Sequence, residues 1–361
     1  MRLLAVGHEL RTLGPADLAP RFKSEGMAFR AHRTGDEWTN GNPIVWPNAT
    51  DEQRNAYLRG LAEDVIAEAQ REPIDALVVD FMQPDALCAA ELTGLPYAAF
   101  VHTLYARVAL ARDFSPMNMM ADAARTNVLR AGLGLPPVAQ VIDLLDRASL
   151  VLVAGVPEFD RPDRPLAVNA RYIGTLIEAP GPDAGWTPRG HPSGRPLVVV
   201  ALGTTAMDEA PVLQRVLDAF AGLDVSIFAT VGAHLEPSAF RVPSNAVVTN
   251  YVRHSAVMPH ASLFVTHAGL SGVSTALAFG VPMLCVPLGR EQPVNAAHVA
   301  AVGAGQTVSR DSSVEAIRDT ATAVLSDPAY RDAAQRIAAA IRPYGNGARA
   351  VRELEQMLGV V

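Results

Sequence analysis

The amino-acid sequence predicts an α/β protein built from two similar halves. Short apolar runs alternate with segments of helical periodicity along most of the chain. A stretch rich in proline and glycine, residues 177–196, interrupts this alternation near the middle, and the alternation then restarts. Short buried strands that alternate with helices are typical of a parallel sheet with helices on its faces. The length of 361 residues also exceeds one ordinary core and suits two domains.

Three strands are predicted in the first half. Residues 75–81 ("DALVVDF") and 96–102 ("PYAAFVH") are short apolar runs, and the helix-period segment 83–94 between them ends at a glycine. Residues 149–155 ("SLVLVAG") form the third run. This order of strand, helix and strand indicates parallel pairing.

The same rhythm returns in the second half. Ligands of such sheets bind in the cleft at the carboxyl ends of the strands, so the loops that follow these strands are the candidates for a site. The predicted elements are strands at 197–203, 225–232, 263–267 and 283–287, a helix at 211–223, another helix between the last two strands, and a long amphipathic helix at 347–361.

Composition and charge exclude several classes of partner. The formal net charge is −7 and no basic block is present, which argues against nucleic acid and anionic membrane surfaces. No apolar run approaches the ~18 residues of a membrane span, so stable membrane insertion is not expected. Cys88 and Cys285 both lie in apolar surroundings and are predicted to be buried free thiols of a reducing cytoplasm.

The strongest ligand signal lies between Val265 and Ala296, "VTHAGLSGVSTALAFGVPMLCVPLGREQPVNA". A strand ends at His267, and a loop of small residues leads into a helix, whose N-terminus favours a phosphate. The next strand is followed by Glu291 and Gln292, a pair suited to adjacent sugar hydroxyls. Glycine-rich turns also serve packing alone in many α/β proteins. The ordered set of Gly-Thr-Thr at 203–205, His-Ala-Gly, Gly-Val-Pro and Glu-Gln-x-x-Asn is much more specific.

These motifs resemble the donor-binding signature of nucleotide-sugar-dependent GT-B glycosyltransferases that modify natural products. The actinobacterial antibiotic branch is most similar, with text close to "vtHaGxGtvxEAlaxGvPmvxvPxgrDQpxNAxrv", and the match runs over residues 197–308. The resemblance implies two facing Rossmann-like domains with a cleft between them. It divides the chain into an acceptor-binding domain at 1–178, a linker at 179–196, a donor domain at 197–345, and a helix at 346–361 that crosses back to the first domain.

The resemblance assigns donor-binding roles residue by residue. Three positions depart from the family pattern: Ser271-Gly272 replaces Gly-Thr, Thr275 stands where many members have Glu, and Arg253 replaces a Pro. The implied donor residues are Thr204 near the phosphates, Tyr251 stacked on the nucleobase, Val252 at the base edge through its backbone, His267, Gly269, Ser271 and Gly272 around the diphosphate, Glu291 and Gln292 on the sugar hydroxyls, and Asn295 after that pair.

A catalytic base and its partner are sought in the first half. In the family a His takes the proton of the acceptor hydroxyl and an Asp orients it; Asp80 matches the Asp position. Asp80 equally suits a helix cap at the end of its strand. His102 also ends a strand in this half, and it is a candidate base, with the lining of an acceptor pocket as the alternative. Histidines in predicted loops, His234 among them, are expected to be solvent-exposed.

The family's own catalytic His loop has no counterpart in the sequence. Gly7-His8, in "AVGHELRTLGP", resembles the later family segment "aaGHeVrvagp", which leads into the second strand. By this comparison a first strand, the His loop and most of the first helix are expected to be missing, about 30 residues for such a strand–helix unit. Either the start is misplaced or the chain is naturally shortened.

The expected function is transfer of a sugar, with a deoxysugar among the candidates, from a TDP- or UDP-sugar to a hydroxyl of a hydrophobic aglycone. The resemblance implies inversion at the anomeric carbon, no metal and no cofactor. A homodimer is left open. The alternatives are another enzyme on the same scaffold, such as a sugar-nucleotide epimerase or a cell-wall lipid glycosyltransferase, and a non-catalytic protein that binds sugar nucleotides. The sequence contains no Cys or His spacing typical of a zinc site and no Gly-x-Ser-x-Gly elbow, so zinc chemistry and a serine nucleophile of that type are not expected.

Overall fold

The computed structural model describes residues 2–32, 50–110, 122–178, 181–187, 194–203 and 207–360. Within this part of the chain, parallel sheets carry helices between their strands, and the predicted α/β class is confirmed. The chain forms two compact units. The first comprises Met1–Ala154, Pro162–Ile173 and Gly347–Val361, and the second comprises Gly155–Arg161 and Gly174–Asn346.

The central strands of the two larger sheets are rich in β-branched and other apolar residues, as expected for strands covered on both faces, and all the described strands are short. In chain order they are β1 (Arg11–Gly14), β2 (Ala28–Ala31), β3 (Leu77–Asp80), β4 (Tyr97–Val101), β5 (Leu150–Val153), β6 (Ala170–Tyr172), β7 (Leu197–Ala201), β8 (Ser226–Thr230), β9 (Ala246–Thr249), β10 (Leu263–Thr266), β11 (Met283–Cys285) and β12 (Gly305–Thr307).

The helices lie before the first strand, in the connections between strands and after the last strand. They are α1 (Arg2–Ala5), α2 (Ala19–Ser24), α3 (Asp51–Arg71), α4 (Pro84–Thr93), α5 (Ala123–Gly132), α6 (Pro157–Asp160), α7 (Ala210–Phe220), α8 (His254–Val257), α9 (Leu270–Ala278), α10 (Gln292–Ala301), α11 (Val314–Ser326), α12 (Pro328–Ile341) and α13 (Ala348–Leu358). No helix in the described residues is long and apolar enough to cross a membrane.

In the first unit β3, β4, β5 and β6 form a parallel sheet in that order, and β1 pairs with β2 in a separate parallel sheet. Among the described residues β3 is therefore the edge strand of its sheet, and Val78 on it is 54% exposed. Helix α4 begins with Pro84 and ends at Gly94, which adopts a left-handed φ of 70°. A proline at the start and a glycine just past the end are the expected helix signals.

The second unit contains a six-stranded parallel sheet in the order β12-β11-β10-β7-β8-β9. This is the doubly wound strand order. All strands are parallel, and the direction in which successive strands are added to the sheet reverses between β7 and β10. Ligands of such sheets bind at the carboxyl ends of the strands beside this switch point. The five residues of β7 are all buried, so the sheet gives the loops after β7 and β10 a rigid base.

The limits of the two units differ from the predicted division at residues 178 and 197. Residues from Gly174 onward, including the described part of the proline-rich stretch, belong with the second unit, as does Gly155–Arg161. Helix α13 belongs to the first unit, where Leu354 packs in a cluster with Leu150, Leu152 and other apolar side chains.

Candidate functional site

In the second unit the imidazole of His267 lies between two glycines. A Cβ atom added to Gly269 would lie 2.5 Å from His267 Nε2, and one added to Gly203 would lie 3.6 Å from the ring. Gly203 also adopts a left-handed φ of 120°, a conformation that favours glycine. Gly203 follows β7 and Gly269 follows β10. The histidine side chain leaves no room for a side chain at Gly269, whereas Gly203 is favoured by its backbone conformation.

The backbone of the loop after β10 is held in an unusual conformation. Ala268 has a φ of 67°, which costs a non-glycine residue about 1–2 kcal/mol. Thr266 Oγ1 accepts a hydrogen bond from Ala268 N at 3.2 Å, and the amide of Asn295 donates to Ala268 O at 2.9 Å. Asn295 is completely buried. The structure therefore places Asn295 beneath the loop as a support for its backbone.

Helix α9 begins directly after this loop, with Gly269 as its N-cap. Ser271 is exposed in the first turn, where backbone N–H groups and the helix dipole favour an anion. Gly272 faces the other way, since a Cβ there would lie 3.3 Å from the Phe264 ring. Of the Ser271-Gly272 pair predicted to lie beside the diphosphate, Ser271 is available at the helix start, and Gly272 lets the helix pack closely on β10.

The electrostatics of the loop favour a neutral His267. Burial, with a smaller contribution from the positive charge of Arg290, lowers its pKa below the ordinary value. Burial and the neighbouring His267 lower the pKa of His254 to about 4. A hydrogen bond between the ring and the backbone of Ala201 acts in the opposite direction and raises the pKa of His267, but burial is the larger effect. Arg290 is exposed and has a left-handed φ of 55°; no local sequence signal marks it as part of the site.

The two members of the predicted sugar-binding pair differ in exposure. Glu291 is partly exposed at the start of α10. Gln292 is 3% exposed, and its Oε1 accepts hydrogen bonds from Leu288 N at 2.8 Å and Gly289 N at 3.1 Å. Its Nε2 lies 3.4 Å from Met207 Sδ. Contrary to the picture of an amide open to a ligand, Gln292 uses these groups to organise its own loop.

The loop after β9 presents an exposed aromatic ring. Tyr251 is 61% exposed, whereas the next residue, Val252, is 6% exposed. Arg253 anchors this loop: its Nε donates to Glu178 Oε1 at 3.1 Å and its backbone N donates to Asp183 Oδ2 at 3.1 Å. The Arg that replaces the family's Pro thus ties the loop to the proline-rich stretch.

Two residues at the β7 loop form a pair that no sequence pattern indicates. His234, expected to be solvent-exposed, pairs through Nε2 with Oε1 of Glu209, and Glu209 is 4% exposed. They are 25 positions apart in two loops, and neither follows a periodic pattern. Thr204, assigned to the phosphates, lies outside the described residues.

In the first unit the two candidate catalytic residues are brought together. His102 Nε2 lies 3.1 Å from both Asp80 Oδ1 and Asp80 Oδ2. Asp80 Oδ1 also accepts a hydrogen bond from Met82 N at 2.9 Å, so the carboxylate caps the turn and contacts the histidine. The paired strands β3 and β4 place both residues at the same edge of the sheet. Both side chains are partly exposed.

The histidine of the Gly7-His8 dipeptide, also in the first unit, contacts a different carboxylate from Asp80. His8 Nε2 lies 3.2 Å from Glu355 Oε1 on α13. Gly7 precedes it with a left-handed φ of 96°. This agrees with the interpretation of Gly7-His8 as a turn in the scaffold.

Comparison with known proteins identifies the class to which this architecture belongs. Residues 214–357 match the family model described as erythromycin biosynthesis protein CIII-like, C-terminal domain. The chain is 31% identical to 4'-demethylrebeccamycin synthase of Lentzea aerocolonigenes, over 79% of this chain and 75% of the relative. It is 24% identical to oleandomycin glycosyltransferase of Streptomyces antibioticus, over 99% and 86%.

The fold is shared with solved glycosyltransferases. Glycosyltransferase VinC in complex with DTDP matches with a TM-score of 0.73 and 19% identity, over 99% of this chain and 94% of that chain. The chain thus has the GT-B fold. It belongs to the family of antibiotic natural-product glycosyltransferases and is an enzyme of that type.

Proposed function

We propose that this enzyme transfers a sugar from a TDP- or UDP-sugar to a hydroxyl group of a hydrophobic natural product, with inversion at the anomeric carbon. The observation that carries the proposal is the loop after β10. It holds a neutral His267 between two glycines at the start of α9, beside the switch point of the sheet. Hydrogen-bond donors at the start of a helix commonly bind an anionic group such as a phosphate.

The diphosphate of the donor would lie at this loop. The N-terminus of α9 and the exposed hydroxyl of Ser271 supply hydrogen bonds, and Arg290 adds positive charge. When the bond to the sugar breaks, the leaving diphosphate gains negative charge, which these groups stabilise. We therefore propose that the leaving group is stabilised without a metal ion.

The remaining parts of the donor have candidate partners in the neighbouring loops. The exposed ring of Tyr251 offers a surface on which the nucleobase can stack. The partly exposed carboxylate of Glu291 can accept hydrogen bonds from sugar hydroxyls. Gln292 and Asn295 act behind these groups, because their side chains bind the backbone of the loops.

The pair of Asp80 and His102 supports a role in activating the acceptor. If Nε2 donates its N–H to Asp80, the lone pair of His102 resides on Nδ1. Nδ1 would take the proton of the acceptor hydroxyl while its oxygen bonds to the anomeric carbon, and the bond from that carbon to the diphosphate would break. Attack opposite the leaving group inverts the carbon. The Asp80 carboxylate would stabilise the imidazolium.

The relatives favour the same substrate classes. The names of two relatives refer to the antibiotics rebeccamycin and oleandomycin, which supports a natural-product acceptor. The solved relative VinC holds DTDP, which supports a thymidine diphosphate sugar as the donor.

Cys88 and Cys285 are both buried free thiols, as suits a reducing cytoplasm.

The test is calorimetric titration of the full chain with TDP and with UDP. We expect one nucleotide to bind with a measurable Kd and the substitution His267→Ala to weaken it. His260→Ala, at an exposed histidine of the same unit, is the control. Nucleotide binding should then be followed by an assay with TDP- and UDP-sugars, with the anomeric configuration of the product read by NMR.

Failure to bind either nucleotide by a folded sample would overturn the proposal. A product with retained configuration would overturn the inverting mechanism and leave the donor assignment in place. Binding that is equal in wild type and His267→Ala would exclude the loop after β10 as the diphosphate site.

A further inference from the structure

Glu209 is a buried carboxylate whose two oxygens have different partners. It lies at the end of the loop that follows β7, directly before α7, and is 4% exposed. Oε2 accepts a hydrogen bond from Met207 N at 2.8 Å, and Oε1 pairs with Nε2 of His234. A buried carboxylate with a paired histidine and a backbone donor has its charge well compensated.

The pair joins loops that leave three strands of the same sheet. Glu209 follows β7, and His234 follows the neighbouring strand β8. The backbone N–H of Met207 donates to Glu209. The side chain of Met207 contacts the loop after β11, where its Sδ lies 3.4 Å from Gln292 Nε2. Its Cε lies 3.2 Å from the position of a Cβ on Gly289. One carboxylate therefore fixes the point at which these loops meet.

The same carboxylate also acts on the histidine of the proposed diphosphate site. Its negative charge raises the pKa of His267, against the larger effect of burial, which lowers it. The pKa of Glu209 itself is lowered, because hydrogen bonds from Met207 and His234 outweigh the effect of burial. Glu209 is thus ionised at neutral pH and close enough to His267 to influence it.

We propose that Glu209 and His234 are positioning residues for the nucleoside diphosphate sugar: they fix the loops around the diphosphate without touching the donor. This inference rests on the proposed function. It predicts a specific pattern, in which breaking the pair weakens donor binding while the acceptor side of the reaction is unaffected. A pair that served only the stability of the fold would lower the melting temperature and leave the Kd of a folded sample unchanged.

The experiment is a double-variant cycle on nucleotide binding. Glu209→Gln, His234→Ala and the double variant are titrated with TDP and UDP at a temperature at which circular dichroism shows each to be folded. Each single change should raise the Kd about tenfold, the scale of one charged hydrogen bond. The Kd of the double variant should be no higher than that of the single variant with the higher Kd, because both changes break the same pair.

A matched control lies at the other end of α7. Arg241 Nη2 and Asp218 Oδ2 form an ion pair at 2.9 Å, and Arg241→Ala should leave the Kd unchanged. In a transfer assay the pair variants should raise the KM of the sugar nucleotide and leave that of the acceptor unchanged. His234→Ala carries the test if Glu209→Gln does not fold, because His234 is the more exposed partner.

The outcomes separate this inference from the proposed function. If the wild type binds TDP or UDP and the pair variants bind equally well, the positioning role is wrong and the donor assignment stands. Additive effects of the two changes would also overturn it, since the residues would then act independently. If the folded wild type binds neither nucleotide, the proposed function fails, and the positioning role fails with it.

Discussion

Nε2 of His102 lies 3.1 Å from each carboxylate oxygen of Asp80, although 22 positions separate the two residues in the chain. The contact exists because β3 and β4 are adjacent parallel strands that end at the same edge. The carboxylate is fixed in turn by Met82 N. This is the orientation that the proposed role of His102 as general base requires.

We expect His102→Ala to lower kcat by about 10²- to 10⁴-fold, the usual contribution of a general base. The nucleotide Kd should not change, because the substitution removes a proton acceptor on the acceptor side. The rate of sugar transfer at saturating substrates, measured beside a calorimetric titration, checks both statements.

Asp80→Asn and His8→Ala serve as companions to this variant. The asparagine can still accept from Met82 N, so its loss of activity reports the carboxylate charge. His8, paired with Glu355 at 3.2 Å, is a second histidine–carboxylate pair of the same unit and should be dispensable for catalysis. Full activity of His102→Ala would assign His102 to the lining of the acceptor pocket.

Gly269→Ala is expected to displace the imidazole of His267, since the added Cβ would lie 2.5 Å from Nε2. Nucleotide affinity should fall at least as far as in His267→Ala. Titration with the nucleotide that binds the wild type measures this effect. Gly155→Ala, at a position with open space around it, provides the comparison, and equal affinity of both variants would contradict the assigned role of Gly269.

Tyr251→Ala should weaken nucleotide binding by about 1–3 kcal/mol, the range for a base stacked on an aromatic ring. Tyr251→Phe should bind like the wild type, because the ring is kept. The Kd values of the three proteins for the same nucleotide decide the question. The ring is 61% exposed, so neither change should alter the melting temperature, and an unchanged Kd in Tyr251→Ala would place the base elsewhere.

The stability of the first unit should depend on the ionisation of Asp85. This carboxyl is 1% exposed, and burial raises its pKa from 3.8 to about 7, against hydrogen bonds from backbone N–H groups that lower it. Since the folded pKa is above the unfolded one, the protonated form is favoured by folding. Its stabilising contribution is complete below about pH 4 and is lost as the pH rises through about 7.

We therefore expect Asp85→Asn to melt at a higher temperature than the wild type at pH 8.5, with a smaller difference at pH 5.5. Thermal unfolding followed by circular dichroism at about these two values measures the change. Asp75→Asn, at an exposed position, should show no such trend. A wild type that is more stable than Asp85→Asn at the higher pH would mean that the carboxylate is compensated in the folded state.

The elements with a clear local signal were predictable. Helix α4 was placed within one residue at each end, because Pro84 and Gly94 mark its limits. The strand ends at Asp80 and His102 were predictable from the apolar runs that precede them, whereas the contact between the two side chains depends on the pairing of β3 with β4. Contacts between loops carry no such signal. The burial of Gln292 depends on how its loop folds over Met207, and the pairing of Glu209 with His234 joins loops whose sequence has no periodicity.

The short segment Gly155–Arg161 has a consequence for exchanging halves between related enzymes. It follows β5 of the first unit yet belongs to the second, where Phe159 O accepts from His298 Nδ1 at 3.1 Å and the two rings meet edge to face. A chimera joined once, in the proline-rich stretch, would present His298 with a foreign partner and α13 with a foreign sheet. Hybrid enzymes that keep Gly155–Arg161 with residues 174–346, and α13 with the first unit, should express as folded protein where single-junction hybrids aggregate.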